Sequence, residues 1–145
     1  MEDDVQQALV LDVSVLTECA RGDVGIINLI QRFDADRKPL IIPATSVTGA
    51  TVELGGNHDQ LAVVSGLCRL DSATMPTVSD FKDGVEVGQV LVEVESCVTS
   101  WDAHAVTEAL LHRCPVLTAD YARWKDIVQD LSGGLTVVEI ADLGD

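Results

Sequence analysis

The sequence predicts an α/β fold, a three-layer sandwich in which helices flank a mainly parallel central sheet. Three observations carry that expectation. Short apolar runs of strand length recur at "ALVLDV" (8–13), "KPLIIPA" (38–44) and "PVLT" (115–118). They are nearly continuous rather than alternating, as strands buried on both faces are. Between them lie longer segments with helical periodicity, and this strand–helix succession from end to end is the signature of β–α–β crossovers.

The first strand, 8–13, ends on an acid, Asp12. "SVLTECARG" (14–22) is a short helix stopped by Gly22. "DVGIINLIQRF" (23–33) follows, with Asp23 as N-cap and Ile26, Ile27, Ile30 and Phe33 on one face. The second strand, 38–44, closes at Pro43. Residues 44–54 are helical by position, although Thr45, Thr48, Thr51 and Gly49 make the segment an intrinsically weak helix. "GGN" (55–57) terminates it, and "HDQLAVVSGLCRL" (58–70) is a better helix. "ATMPTVS" (73–79) holds a third strand. "DGVEVGQVLVEVESCV" (83–98) fits either period: Val85, Val87, Val90, Val92 and Val94 alternate in part, while Val87, Leu91, Val94 and Val98 share a helix face. "WDAHAVTEALLHR" (101–113) is helical, 115–118 is strand, "YARWKDIVQDL" (121–131) is helical and "LTVVEIA" (135–141) is the last strand.

The 145 residues make one domain, 1–145, with the acidic "MEDDVQQ" (1–7) expected as a flexible N-terminal extension. A composition 47% hydrophobic, with mean hydropathy +0.25, excludes a disordered acidic tail as a description of the whole. No apolar run is long enough to span a bilayer, and the acidic start is unlike a secretory signal. Cys19, Cys68, Cys97 and Cys114 are scattered without a C-x-x-C pair, as reduced cytoplasmic thiols are. His58, His104 and His112 show no ligand spacing, and His104 and His112 are expected on a helix surface.

Charge is the unusual quantity: 24 Asp and Glu stand against 9 Lys and Arg, a net charge of −15. That excess argues against tight nonspecific nucleic-acid binding, which relies on Lys and Arg. It is compatible with a cation site or a basic protein partner. Four acids stand out by position. In an open parallel sheet, ligands bind at the carboxyl ends of strands. Asp12 and Asp120 follow the first and fourth strands, Asp102 opens the helix leading into the fourth, and Glu53 occupies the last turn of its helix. Each also has an ordinary explanation. Asp12 could start a turn, Asp102 stands three residues after Thr99 as in a capping box, and Asp120 could cap the helix after it. Glu53 faces the negative end of its helix dipole, so either something else holds it there or it is exposed and the cost is small. Four converging carboxylates would repel unless a cation joined them, and hard oxygen ligands suit Mg²⁺ or Mn²⁺.

With "LVLDVSVL", "TVELGG", "DAHAVTEAL" and "PVLTADYARW" in this order, the chain from Val10 to about Ile140 resembles a PIN domain, in particular the small VapC-like toxins of bacterial toxin–antitoxin pairs. The resemblance implies a metal-dependent ribonuclease with Asp12, Glu53, Asp102 and Asp120 as its catalytic acids. It implies Asp12, Asp102 and Asp120 on Mg²⁺ or Mn²⁺, with Ser14 and Thr118 in support. It also implies helix for the ambiguous 82–98 stretch, an RNA substrate, a cognate antitoxin that packs over the acidic groove, a homodimer and a cytoplasmic location. Arg21, Arg37, Lys38, Arg113, Arg123 and Lys125 are the cations left to grip RNA, with Arg21, Arg113, Arg123 and Lys125 the main candidates. Leu16, Ile26, Ile30 and Phe33 could line a partner surface, and core packing explains them equally well. The shortage of cations supports a second reading, a catalytically weak or inactive PIN-like domain that acts through protein–protein contact. A haloacid-dehalogenase-like phosphatase is disfavoured because Ser14 stands where its second acid should be, and a receiver domain lacks its lysine.

Overall fold

Leu9 and Leu11 point to one side of the first strand and Val10 to the other, and this division runs through the whole sheet. The computed structural model describes residues 7–143, so the expected N-terminal extension (1–7) falls almost wholly outside the described residues. The strands are β1 (Leu9–Leu11), β2 (Leu40–Ile41), β3 (Ala73–Thr74), β4 (Val116–Thr118) and β5 (Val137–Glu139). They form one five-stranded sheet in the order β3-β2-β1-β4-β5, and every neighbouring pair is parallel. The helices are α1 (Val13–Ala20), α2 (Val24–Ala35), α3 (Ala44–Glu53), α4 (His58–Cys68), α5 (Phe81–Glu93), α6 (Ser100–His112) and α7 (Tyr121–Asp130), with a closing 3₁₀ turn at Ile140–Leu143.

Leu9, Leu11, Leu40 and Leu117 pack against Leu16, Ile30, Ala50 and Val64 from α1 to α4. Val10, Ile41 and Val116 pack on the opposite side against Val87, Ala103, Val106, Trp124 and Ile127 from α5, α6 and α7. The two cores make the expected three layers. Leu16, Ile26 and Ile30 are buried within the first, with Phe33 packed against it, so core packing is their role.

The strands are shorter than the apolar runs that announce them because helices begin within those runs. Asp12 already caps α1, and Pro43 takes the N-cap position of α3. The ambiguous segment is helix up to Glu93. The backbone then turns extended at Val94, which lets Val94 and Cys97 enter the second core. α3 forms despite its threonines, and its glycine has a packing cause. A Cβ at Gly49 would meet Val13 Cγ2 at 2.5 Å and Trp101 Cγ at 2.9 Å, so only glycine lets α3 cross so near α1 and the start of α6. Gly55 and Gly56, at φ 62 and 72, end the helix where "GGN" predicts.

β1 comes first in sequence and lies in the middle of the sheet. The chain runs outward through β2 and β3, then returns to lay β4 on the other side of β1. The carboxyl ends of β1 and β4 therefore flank the topological switch point, where a crevice opens. No helix among the described residues is long and apolar enough to cross a membrane.

Candidate active site

Asp12 leaves β1 directly into the N-cap of α1 and is 1% exposed. Its Oδ1 accepts from Ser14 Oγ at 2.6 Å and from the Val15 backbone N–H at 3.1 Å. Its Oδ2 accepts from Thr118 Oγ1 at 2.6 Å and from the Trp124 indole N–H at 2.7 Å. Burial pushes the Asp12 pKa up from 3.8, and these donors pull against that shift. The two carboxylate oxygens offer about four lone-pair sites, which these four partners occupy.

Ser14 and Thr118 also tie the next acid in place. Each hydroxyl has one proton, spent on Asp12, and each then accepts from the backbone. Ser14 Oγ takes the Ala119 N–H at 2.8 Å and Thr118 Oγ1 takes the Asp120 N–H at 3.0 Å. The 3.1 Å approach between the two hydroxyls is therefore a contact and not a further bond. Through this relay the backbone at Asp120 is registered to Asp12. Asp120 stands at the N-cap of α7, yet its carboxylate makes no capping bond, so the ordinary explanation of that acid does not hold.

Asp102 lies in the first turn of α6, and Thr99 Oγ1 accepts its backbone N–H at 3.2 Å. Its carboxylate turns to Arg123, whose Nε donates to Oδ2 at 2.9 Å and to Oδ1 at 3.2 Å. Asp102 is 7% and Arg123 27% exposed at the side chain. Partial burial disfavours the Arg123 charge, but the fields of Asp102, Asp12 and Glu53 outweigh it and raise the guanidinium pKa. Glu53 ends α3 beside the same space. Arg21 donates to its backbone oxygen at 3.5 Å and pairs with Glu18 at 3.3 Å. Glu53 itself is exposed, so its position at the negative end of the helix dipole costs little, and Arg21 reaches only its backbone oxygen.

The four sequence-selected acids thus reach one edge of the sheet. Ser14, Glu53, Asp120, Arg21 and Arg123 line a groove of about 800 Å³ between α1, α2 and the chain after β5. Arg113 ends the opposite end of α6, about 16 Å along its axis from Asp102 at 1.5 Å per residue. Lys125 is exposed on α7.

A divalent ion requires open carboxylate oxygens, and here the acids do not fit one. Both oxygens of Asp12 are saturated by protein donors, and both oxygens of Asp102 face Arg123. Among the described residues, no three His, Cys, Asp or Glu side chains gather in a metal-holding group. Asp12, Asp102 and Asp120 are the acids expected on a cation; in this arrangement the first is held by protein donors and the second by Arg123.

Elsewhere the thiols behave as expected. All four are free, and burial, assisted by Asp23 and Glu18, pushes Cys19 up to about 12. His104 departs from expectation. It is 1% exposed, because α6 is covered by both α3 and α5, and its Nδ1 shares a 2.8 Å hydrogen bond with Thr45. His112 is half exposed, as expected, beside Glu108 at 3.3 Å. Trp124 was not singled out from the sequence. Its signal is general: a buried indole N–H needs an acceptor.

No family model matches the chain, and no curated protein is found similar to it. Among solved structures, the chain is similar to one described as VapBC2 from Rickettsia felis bound to a DNA fragment from their promoter. The TM-score is 0.67 at 10% identity, covering 91% of this chain and 98% of that chain. At that identity the likeness speaks for the fold. A parallel sheet with this strand order, flanked by helices and matched over nearly its whole length by that neighbour, gives the chain the fold of a PIN domain.

Proposed function

We propose that the protein is a VapC-like ribonuclease that hydrolyses RNA phosphodiesters at the crevice between β1 and β4. One observation supports this above others: Arg123, paired with Asp102, lines an open groove with Glu53 and Asp120, and Thr118 ties the Asp120 backbone to Asp12. Asp12, Glu53, Asp102 and Asp120 are the catalytic acids. Ser14 and Thr118 fix the orientation of Asp12 and the position of Asp120. Arg21 lies where it would meet an RNA backbone entering the groove. Mg²⁺ or Mn²⁺ is the cofactor of this class of nuclease. The neighbour is a VapBC2 assembly, and by that analogy a cognate antitoxin covers the groove and the protein is a cytoplasmic homodimer.

A second reading has its own support. With Asp12 saturated and Asp102 paired, the domain could act by protein contact alone. Incubation with labelled single-stranded RNA, with and without millimolar Mn²⁺ or Mg²⁺, separates the two. Cleavage by the wild type that disappears in a folded Asp102→Asn variant supports the ribonuclease. A folded wild type that leaves the RNA intact under all these conditions moves the assignment to protein contact.

A further inference from the structure

We infer that Arg123 is the resident cation of this site, and that its guanidinium keeps divalent metal ions out. The inference concerns the regulation of the crevice and rests on reading its acids as the nuclease site.

Three observations converge on it. Arg123 Nε donates to both oxygens of Asp102, at 2.9 and 3.2 Å, and so occupies the carboxylate that a metal ion would need. The same guanidinium lies within the fields of Asp12 and Glu53, and it lines the groove with Glu53 and Asp120. It therefore lies among acids from the β1–α1 junction, α3, α6 and the β4–α7 connection. Last, Trp124, the next residue of α7, is fully buried and fastened to Asp12 at 2.7 Å. A fixed α7 holds the Arg123 backbone so that its side chain reaches the crevice.

The charges alone explain why a cation belongs here. Carboxylates brought to one edge of the sheet repel, and a counter-ion or protonation relieves that repulsion. Arg123 supplies one unit of charge without dehydrating a metal ion, and the guanidinium stays protonated at any physiological pH. A divalent ion would have to share the crevice with that charge or displace it. Arg123 thus offsets part of the negative charge of the crevice from within, and opening the site to metal means moving its side chain, already 27% exposed, away from Asp102.

The test reads metal, not cleavage. Mn²⁺ binding is followed by loss of the free-ion electron paramagnetic resonance signal, without RNA, for the wild type and for Arg123→Gln. The wild type should leave Mn²⁺ largely free at hundreds of micromolar. Arg123→Gln should bind it about tenfold or more tightly, since a unit charge at contact distance is removed. Arg123→Lys, which keeps the charge, should exclude Mn²⁺ as the wild type does. Adding Asp102→Asn to Arg123→Gln should abolish the gain. Arg123→Met, which keeps the aliphatic stem, replaces the Gln variant should circular dichroism show the latter unfolded.

Equal Mn²⁺ affinity in the wild type and the uncharged variants overturns the inference, as does a gain that survives Asp102→Asn. Micromolar Mn²⁺ binding by the wild type removes the Arg123 proposal while leaving the ribonuclease reading standing. Metal binding gained by Arg123→Gln without any RNA cleavage removes the ribonuclease reading alone.

Discussion

The indole N–H of Trp124 donates to Oδ2 of Asp12 at 2.7 Å, joining α7 to the end of β1 across 112 residues of sequence. Both side chains are almost wholly removed from water. The bond satisfies a buried donor and stabilises a buried negative charge, and charge-assisted bonds of this kind are stronger than neutral ones. It also fixes the helix that carries Arg123.

Trp124→Phe retains most of the packing and deletes this donor. The expected loss of stability is about 1.5–3 kcal/mol, the range for hydrogen bonds to charged groups. Urea denaturation followed by far-UV circular dichroism measures it. A loss below a few tenths would show that the indole contributes only bulk.

Asp12 should titrate above an ordinary aspartate, because burial outweighs its four donors. The folded state then takes up this proton at higher pH than the unfolded state. The stability due to this group is therefore largest below about 3.8 and declines as pH rises through the folded pKa. Carbon-13 chemical shifts of the Asp12 carboxyl report the midpoint directly. A midpoint below 3.8 would mean that the donors win.

Gly49→Ala should destabilise the protein by about 1–3 kcal/mol, as overpacking of a tight core does. The added methyl meets Val13 at 2.5 Å and the Trp101 ring at 2.9 Å. Propensity alone predicts the opposite, since alanine favours helix over glycine by about 1 kcal/mol. The sign of the change in thermal midpoint decides between the two.

The thiols should resist alkylation at pH 7.5 in the folded protein. Burial raises the pKa of all four, Cys19 to about 12 and Cys97 to about 11, so little thiolate exists at that pH. Mass spectrometry after brief iodoacetamide treatment should show unmodified chain, and full labelling in 6 M guanidinium. Rapid labelling of the native protein would mean that the cores open readily.

Much of the architecture was legible because it depends on local pattern. Apolar runs buried on both faces, Asp23 as a cap and Gly55 as a stop each act within a few residues, and the strand–helix succession follows from them. The placement of Asp12 and Asp120 after strands, and of Asp102 and Glu53 at helix ends, was legible from local sequence. The charge state of the site was not. Arg123 reads as one of several surface cations until Asp102, in another helix, is placed beside it. Trp124 and Gly49 were obscure for the same reason: each is explained by partners from distant segments, Asp12 in one case, Val13 and Trp101 in the other. The 83–98 segment stayed ambiguous because its valines satisfy both periods. Burial on the second core, where Val87 packs, selects the helix.

The placement of β1 between strands from opposite ends of the sequence has a consequence for biosynthesis. Thr118, Trp124 and Arg123 all follow residue 115. A nascent chain that has formed only β1, β2 and β3 has Asp12 at an unpaired strand edge, with no crevice around it. On the ribonuclease reading, a chain ending before β4 lacks Thr118, Arg123 and Trp124, so it cannot build the surroundings of Asp12 and the activity appears only when synthesis is nearly finished.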